Sequence, residues 1–423
     1  MMTTTLIVLV TVVVTLIAFV IGFNLTSLEK RVQHRIEPTF GVDDPQFERA
    51  ANNLLSGALM EGNHVETLQN GKRYFPAMLE AIRNAKHSIC FETFIYVSGD
   101  IGREFGEALI ERCQAGVKVH VLCDWVGSNR MRKVHLQRLK DAGISVEMYR
   151  PLNFQNLIHF NNRTHRKILV IDGRIAFTGG AGIADEWDGD SDRVDCWRDN
   201  QYRVTGPVVA NVQGVFMDNW MQTHAEVLKD ERYFPELNPT GNIKAQAFMS
   251  GPGEGVESAR LMFLLSIACA RKTIRIGNAY FVPDNFVIDA LVDACRRGVQ
   301  VEVIMPDRID SNLANWASCA RWGPLLRAGV KIYRFQGALY HCKMFIVDDH
   351  WVSVGSSNFD TRSFRLNDEM NLNVLDRNFA AEQVAIFHKD RECSHLITLE
   401  EWETRPWWEK LRDRAAALTR SQL

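Results

Sequence analysis

The chain repeats one order of elements twice, and this internal duplication is the feature that most constrains its fold. In each copy a helical stretch leads into a strand-like run, Ser88 to Tyr96 in the first and Thr273 to Phe281 in the second. A further helix follows, and a glycine at its end, Gly116 or Gly298, opens a β-branched run. This alternation predicts an α/β fold of two pseudo-symmetric halves, each with a mixed, mainly parallel sheet flanked by helices.

A third repeated segment carries the polar pattern HxKxxxxD in both halves. Its six residues are His165, Lys167 and Asp172 in the first copy and His341, Lys343 and Asp348 in the second. Because residues two apart in a strand share a face, each copy presents an imidazole beside a lysine. We assign all six to a catalytic set at the interface of the halves, with a mainly structural part for the aspartates, which favour a turn on the opposite face.

Small residues follow each copy of this motif, at Gly179-Gly180 and at Ser356 to Asn358. The backbone N–H groups of such loops can approach an anion closely, so we expect Gly180, Ser356 and Asn358 to bind or orient phosphate. A lone HxK pair is more often a packed or surface histidine. Two copies of motif and loop are hard to explain by packing alone, which favours a functional site.

At these residues the chain resembles the phospholipase D superfamily, which is defined by the duplicated HKD motif. The resemblance covers nearly all of Lys72 to Leu399, and the segments Trp197 to Asp199 and Gly355 to Glu369 are similar to its cardiolipin synthase branch. It implies that one histidine attacks a phosphodiester to form a phosphohistidine. The other histidine protonates the leaving alcohol and later deprotonates the incoming one. We take His165 as the nucleophile and His341 as the acid and base, and the near symmetry leaves the reverse assignment open.

The resemblance also implies a carboxylate behind each histidine. The matching positions are Glu369 for His341 and Asp199 for His165. Such carboxylates hydrogen bond the far ring nitrogen and stabilise the imidazolium form. Without the resemblance, surface salt bridging would be the simpler interpretation of both.

Phosphate binding is expected to rest on side chains. Lys167, Lys343 and Asn358 would bind the nonbridging oxygens and stabilise the pentacoordinate phosphorus, a task that metal ions perform elsewhere. We therefore expect no metal and no other cofactor. Gly182 stands where many members of the superfamily carry Asn, which predicts weaker phosphate binding by the first half.

The segment from Thr3 to Phe23 has no charged residue and about the length needed to cross a bilayer, which predicts one transmembrane helix. A cleaved signal peptide is the alternative, but no basic residue precedes the run and no small-x-small site follows it. Lys30, Arg31 and Arg35 come after the span. This asymmetry predicts a single-pass protein of the cell (inner) membrane with its catalytic region in the cytoplasm.

Five regions follow from these patterns: an anchor over 1–25, a juxtamembrane linker and helix over 26–71, a first half over 72–235, a second half over 236–400 and a C-terminal amphipathic helix over 401–423. In the last region Trp407, Trp408 and Leu411 begin an apolar stripe among basic residues, typical of an interfacial helix or of a helix docked on the body. The apolar residues Leu152, Phe154, Leu157, Ile158 and Phe160 likewise fit either an interfacial segment or core packing.

Charge and cysteine content bear on the partners. A formal charge of -2 and a pI near 6.6 give no basic field, so nucleic acid is not an expected partner. The nine cysteines lack CxxC pairs and are interpreted as reduced core thiols. The anchor favours a phospholipid substrate at the membrane. The resemblance implies transfer of a phosphatidyl group between two phosphatidylglycerol molecules, giving cardiolipin and glycerol. Alternatives are a phospholipase D-type hydrolase, a membrane-tethered phosphodiesterase or nuclease, and a degenerate lipid-binding scaffold, and the oligomeric state stays open.

Overall fold

The computed structural model of the chain describes residues 2–25, 36–37, 40–153, 160–252, 258–419 and 422. Two predicted features lie outside these ranges. They are the basic residues Lys30, Arg31 and Arg35 after the first helix, and Phe154, Leu157 and Ile158 of the apolar segment before the first motif.

Two similar halves follow an N-terminal region that contains α1 (Met2–Leu25) and α2 (Pro45–Leu54). The strands of the first half are β1 (Met60–Gln69), β2 (Ser88–Thr93), β3 (Lys118–Asp124), β4 (Ser145–Tyr149), β5 (Ile168–Ile171), β6 (Ile175–Gly179) and β7 (Asn200–Thr205). Its helices are α3 (Gly71–Arg83), α4 (Asp100–Gln114), α5 (Lys133–Asp141) and α6 (Val209–His224). The predicted glycines follow α4 and the corresponding helix of the second half with positive φ, 93° at Gly116 and 91° at Gly298.

The second half repeats this plan. Its strands are β8 (Ile243–Ser250), β9 (Thr273–Asn278), β10 (Phe281–Val282), β11 (Gln300–Pro306), β12 (Lys331–Phe335), β13 (Lys343–Val347), β14 (Trp351–Gly355), β15 (Phe359–Asp360), β16 (Glu369–Leu375) and β17 (Ser394–Ile397). Its helices are α7 (Ser258–Cys269), α8 (Asn285–Arg296), α9 (Asn312–Cys319), α10 (Trp322–Arg327), α11 (Thr361–Arg365), α12 (Arg377–Glu392), α13 (Leu399–Glu403) and α14 (Trp407–Ala417).

The described strands form one mixed sheet in the order β17-β12-β11-β9-β13-β14-β16-β8-β1-β7-β6-β5-β2-β3-β4, with β10 and β15 paired apart from it. The α/β class and the mixed sheet are confirmed, but the prediction of a mainly parallel sheet is wrong. Within the sheet, parallel pairing is confined to β2-β3-β4 and β9-β11-β12, where helices cross over between the strands. The motif strands instead reverse at tight turns, Asp172-Gly173 and Asp348-Asp349, so they pair antiparallel with their neighbours.

Strand β1 joins the halves, because it pairs antiparallel with β7 on one side and β8 on the other. The prediction that residues 26–71 form only a linker and a helix is therefore wrong for Met60–Gln69. The strand has a polar residue at a buried position, which obscures its alternation. Asn63 is fully buried, donates to Met60 O and Ile243 O at 2.6 and 3.2 Å, and accepts from Val208 N at 2.8 Å.

Apolar side chains fill both faces of the sheet. One core lies in the first half beneath α3 and α4, and another lies in the second half beneath α7 and α8. The third core spans both halves beneath α6 and α12, with Phe216 and Phe387 fully buried in it. Burying one such side chain contributes roughly 1.5–3 kcal/mol, so this shared core holds the halves against each other.

The two ends of the chain carry exposed apolar side chains. Those of Leu6 to Phe19 that the structure describes on α1 face outward, as do Trp407, Trp408 and Leu411 on α14. Helix α14 also docks on α9, with Asp413 and Ala416 buried beneath it. Among the described residues, no helix has an apolar stretch of the length that crossing a membrane requires.

Candidate active site

A backbone bridge between the halves positions His165. Thr164 pairs with Asp368 of the second half, and the His165 N–H donates to Asp368 O over 2.8 Å. The next residue of that strand is Glu369, whose carboxylate oxygens lie 3.0 and 3.1 Å from His165 Nδ1. The position of this imidazole is therefore set by a fully buried carboxylate of the opposite half.

A matching bridge positions His341. Tyr340 pairs with Arg198 of the first half, and the His341 N–H donates to Arg198 O over 2.7 Å. The next residue is Asp199, whose Oδ2 lies 2.8 Å from His341 Nδ1. The Trp187 indole N–H donates to the same oxygen at 3.0 Å and keeps the carboxylate in place.

Each carboxylate thus contacts Nδ1 of the histidine in the opposite half. The predicted pairing of Glu369 with His341 and of Asp199 with His165 is wrong. That prediction treated each half as self-contained, whereas the segment before each motif strand pairs with the other half. The carboxylates were identified correctly as a set, and only the tertiary pairing exchanges them.

Burial controls the protonation of both histidines. It lowers the pKa of His165 to about 4 against the attraction of Glu369, and it also lowers the pKa of His341 against that of Asp199. Both rings are therefore neutral at pH 7. A neutral imidazole beside a carboxylate carries its proton on the facing nitrogen, here Nδ1. The Nε2 lone pairs remain for chemistry.

The two motif lysines lie against their histidines. Each ammonium donates to the carbonyl oxygen of its own histidine at 2.8 Å, Lys167 to His165 and Lys343 to His341. Burial lowers the pKa of Lys167 to about 7, and it lowers the pKa of Lys343 in the same direction. An anionic phosphodiester would restore these charges, because an opposite charge nearby favours the ammonium form.

Both half-sites open into one pocket of about 240 Å³ between the halves. His165, Lys167, His341 and Asn358 all line it. The buried Oδ1 of Asn358 has no hydrogen-bond partner within the described chain and can accept from a ligand hydroxyl, whereas a phosphate oxygen requires the Nδ2 donor of the same amide. The pocket therefore combines two imidazoles, an ammonium and an amide, which suits one phosphodiester.

Ser356 and Gly180 support the carboxylates rather than the pocket. The Ser356 hydroxyl donates to Glu369 Oε2 at 2.5 Å. Gly180 leaves room for Asp199, since a Cβ at Gly180 would lie 2.4 Å from Asp199 Oδ1. Neither residue lines the described pocket, so their orienting role is the one that the geometry supports.

The loop amides do not cradle phosphate, and that prediction is wrong. The N–H of Gly180 donates to Asn200 O at 3.2 Å, that of Ser356 to Met370 O at 3.0 Å, and that of Asn358 to Ser363 Oγ at 3.0 Å. These bonds join each loop to its neighbouring strand or helix. The sequence shows small residues but not which partner their amides already have.

Asp172 and Asp348 lie at the far ends of the motif strands. Each carboxylate accepts three successive backbone N–H groups at 2.7 to 2.9 Å, from Lys86, His87 and Ser88 or from Arg271, Lys272 and Thr273. These contacts fix the starts of β2 and β9. Their predicted structural role is confirmed, and their inclusion in the catalytic set is wrong.

Several aromatic side chains pack on the histidines without having been predicted from the sequence. Phe94 lies with its ring centroid 5.1 Å from that of His165, and Trp187 and Trp197 lie 5.3 and 5.1 Å from that of His341. Phe94 directly follows β2, where side chains at the carboxyl end of a parallel strand often reach a site. That position is the one sequence signal that could have identified it.

Comparison with known proteins gives a consistent set of relatives. A family model described as "Cardiolipin synthase, PLD-like domain" matches residues 78–187 and 264–391. The chain is 33% identical over 399 residues to the major cardiolipin synthase ClsA of Bacillus subtilis, covering 93% of this chain and 82% of that protein. It is 34% identical over 371 residues to cardiolipin synthase A of Pseudomonas putida, covering 88% of this chain and 77% of that protein.

Solved structures share the fold at lower identity. Phosphatidylserine synthase of Haemophilus influenzae has a TM-score of 0.67 at 18% identity, covering 90% of this chain and 99% of that one. Polyphosphate kinase of Porphyromonas gingivalis has a TM-score of 0.54 at 14% identity, covering 88% of this chain and 52% of that one. At these identities the likeness is one of fold.

Proposed function

Because the chain belongs to the phospholipase D-like family of cardiolipin synthases, we propose that it transfers a phosphatidyl group from one phosphatidylglycerol to a hydroxyl of another, releasing glycerol. The family predicted from the duplicated motif is confirmed by this membership. The observation that carries the proposal is the pair His165 and His341, each held at Nδ1 by a carboxylate of the opposite half and both lining one pocket.

The reaction proceeds in two displacements. His165 Nε2 attacks the phosphorus, the bond from phosphorus to the glycerol oxygen breaks, and His341 gives its proton to that oxygen. A hydroxyl of the second lipid then attacks, the bond from phosphorus to nitrogen breaks, and His341 takes the hydroxyl proton. Lys167 and Asn358, which line the pocket, stabilise the charge on the nonbridging oxygens in both steps. Lys343 does not line the described pocket, and its Nζ, 3.4 Å from His341 Nε2, adds positive charge beside it.

Two observations support His165 as the nucleophile and His341 as the acid and base. The pKa of about 4 keeps His165 neutral, as attack through Nε2 requires. Burial and the neighbouring Lys343 lower the pKa of His341 too, but Asp199 and Asp310 both oppose that fall. Two carboxylates and a bound phosphodiester together favour the imidazolium that the leaving alcohol needs.

We also propose that residues 1–25 anchor the chain in the cell (inner) membrane by one transmembrane helix, with residues 72–235 and 236–400 as the catalytic halves in the cytoplasm. Support comes from the uncharged run between Thr3 and Phe23 and from the outward apolar side chains of α1. Helix α14 would rest on the same membrane through Trp407 and Trp408. Nucleic acid remains an unexpected partner.

Lipid mass spectrometry tests the reaction. The full chain is incubated in chelator with phosphatidylglycerol vesicles, with and without phosphatidylethanolamine. Cardiolipin and free glycerol are the expected products, since the two lysines and Asn358 supply the charge stabilisation. If phosphatidic acid is the sole lipid product, the enzyme hydrolyses phosphatidylglycerol and does not transfer the phosphatidyl group. Activity that is lost in chelator and restored by a divalent ion would contradict the metal-free mechanism.

Thiol labelling tests the orientation. Of the cysteines in the described part of the chain, Cys393 is the one that is exposed, so the interpretation of the cysteines as core thiols is wrong for this residue. A membrane-impermeant maleimide should label it only after cells are permeabilised, and Cys393→Ser should remove the label. Labelling in intact cells would place the catalytic region outside the cytoplasm.

A further inference from the structure

The wall of the pocket on the His341 side carries a carboxylate that the phosphate chemistry does not use. Asp310 and Tyr280 both line the pocket, and the Tyr280 hydroxyl donates to Asp310 Oδ2. Asp310 Oδ1 accepts no hydrogen bond from the part of the chain that the structure describes. A carboxylate repels a phosphodiester, so this oxygen suits a hydrogen-bond donor on another part of the substrate.

The position in the first half that corresponds to Tyr280 is apolar. Strands β2 and β9 begin at Ser88 and Thr273, so Ile95 and Tyr280 occupy equivalent positions seven residues further on, and both line the pocket. Phe94 lines the pocket beside Ile95. At this one position the pseudo-symmetric halves thus present a polar side chain, Tyr280, and an apolar one, Ile95, to the pocket.

Asp310 and Tyr280 lie on the His341 side of the pocket, where the alcohol oxygen would leave and enter. Asp310 interacts electrostatically with both His341 and Lys343, opposing the lowering of their pKa by burial. His341 is the residue that handles the proton of the alcohol in the proposed mechanism. The Asp310 carboxylate would therefore contact the alcohol and not the acyl chains.

We propose that Asp310 and Tyr280 form the alcohol subsite, which binds the adjacent free hydroxyls of a glycerol headgroup. One hydroxyl donates to Asp310 Oδ1, and its neighbour bonds to the Tyr280 oxygen. Lys167 and Lys343 nearby disfavour an ammonium headgroup, although a carboxylate alone would accept one. The inference rests on the proposed phosphatidyl transfer, because the leaving glycerol and the incoming headgroup occupy this subsite in turn.

Acceptor competition tests the subsite in the full-length enzyme. Phosphatidylglycerol is the donor, and deuterated glycerol or 1-propanol is the soluble acceptor, with products read by mass spectrometry. Asp310→Asn should raise the KM for glycerol at least about tenfold with little change in the KM for 1-propanol. The phosphatidic acid fraction should rise as water replaces the alcohol. Tyr280→Phe should have the same effect at about threefold.

Asp307→Asn is the matched control. Asp307 belongs to the same loop, pairs with Arg334 at 3.0 Å and does not line the pocket, so its variant should keep the wild-type acceptor preference. An unchanged glycerol preference in Asp310→Asn would overturn the proposal. A wild-type preference for ethanolamine over glycerol that is lost in Asp310→Asn would also overturn it, in favour of an ammonium site.

A binding experiment separates this inference from the reaction itself. Glycerophosphoglycerol and dimethyl phosphate are titrated calorimetrically into His165→Ala, with and without Asp310→Asn. Asp310→Asn should weaken binding of glycerophosphoglycerol at least about fivefold and leave dimethyl phosphate unchanged. If that holds while the wild type makes no cardiolipin, the subsite stands and the proposed function fails. Equal effects on both ligands would remove the subsite even where cardiolipin is made.

Discussion

The half-sites around His165 and His341 share one backbone plan, yet different side chains surround each imidazole. Both oxygens of Glu369 approach His165, which packs against Phe94, whereas His341 meets one oxygen of Asp199 and packs against a pair of tryptophans. A duplicated fold therefore supplies two similar imidazoles, and the surrounding side chains make their chemistry unequal.

The halves also differ at equivalent positions of β2 and β9, the strands that pair with the motif strands. The first half buries Glu92 on β2, where it accepts hydrogen bonds from Thr164 and Asn219. The equivalent position on β9 is Gly277, where a Cβ would lie 2.4 Å from the Tyr340 hydroxyl. The first half thus contains a buried ionisable group that the second half replaces with an aromatic contact, and the two should respond differently to pH.

The largest expected effect comes from removing either histidine. His165→Ala and His341→Ala should each reduce turnover by roughly 10⁴-fold or more, because one supplies the nucleophile and the other the proton. A phosphatidyl ester of p-nitrophenol separates the two roles, since its leaving group needs no proton. His341→Ala should still release one equivalent of nitrophenolate and accumulate an adduct on His165, detected by mass spectrometry under alkaline conditions.

His165→Ala should give neither the burst nor the adduct. The exposed His395→Ala serves as the control and should behave as the wild type. A burst in His165→Ala with an adduct on His341 would reverse the assignment, and substantial turnover of phosphatidylglycerol by either alanine variant would remove the paired mechanism.

The crossed carboxylates come next. Glu369→Gln and Asp199→Asn should each reduce turnover by about 10–100-fold, because the ring that each supports loses its orienting acceptor. Double-mutant cycles in urea unfolding should couple Glu369 with His165, and Asp199 with His341, by about 0.5 kcal/mol or more. Coupling of Glu369 with His341 instead would restore the pairing within each half.

The lowered pKa of the motif lysines predicts that activity falls at alkaline pH. Lys167 is needed as a cation, and because burial lowers its pKa to about 7, its charged fraction falls as the pH rises above that value. The ratio kcat/KM, which reports the free enzyme, should fall about tenfold per pH unit there. Lys167→Arg keeps its charge and should move the fall to higher pH. An identical alkaline fall in that variant would assign the titration to another group.

The smallest effect concerns stability alone. Burial raises the pKa of Glu92 to about 7 from its ordinary 4.5. Because the pKa of this carboxyl is raised in the folded state, Glu92 does not reduce the free energy of unfolding below about pH 4.5, where it is protonated in both states. As the pH rises through about 7, the free energy of unfolding falls by on the order of 3 kcal/mol. Glu92→Gln should therefore raise the free energy of unfolding at pH 8 by on the order of 1–3 kcal/mol.

Urea unfolding between pH 5 and pH 8 measures this change. Glu80→Gln, an exposed carboxylate of α3, is the control and should stay within about 0.5 kcal/mol of the wild type. A variant of Glu92 that is no more stable than the wild type at pH 8 would mean that Arg166 compensates the buried charge.

The sequence by itself determined the duplication, the motif strands and the six motif residues, because helix and strand periodicity and short spacings are local properties. It also identified both carboxylates and Asn358 as part of the site, through the resemblance. Only the tertiary structure decided which carboxylate meets which histidine, since the bridges Thr164 to Asp368 and Tyr340 to Arg198 join residues far apart in the chain.

Contacts between residues far apart in the chain also explain the other differences between the predictions and the structure. Strand direction depends on whether a turn or a crossover helix follows, and loop amides find partners on strands distant in sequence. Tyr280 and Asp310 lie outside both HKD motifs and meet in the pocket only because β9 and β11 are neighbours in the sheet. A single sequence specifies which residues can react, and the packing of its two halves decides which of them do so together.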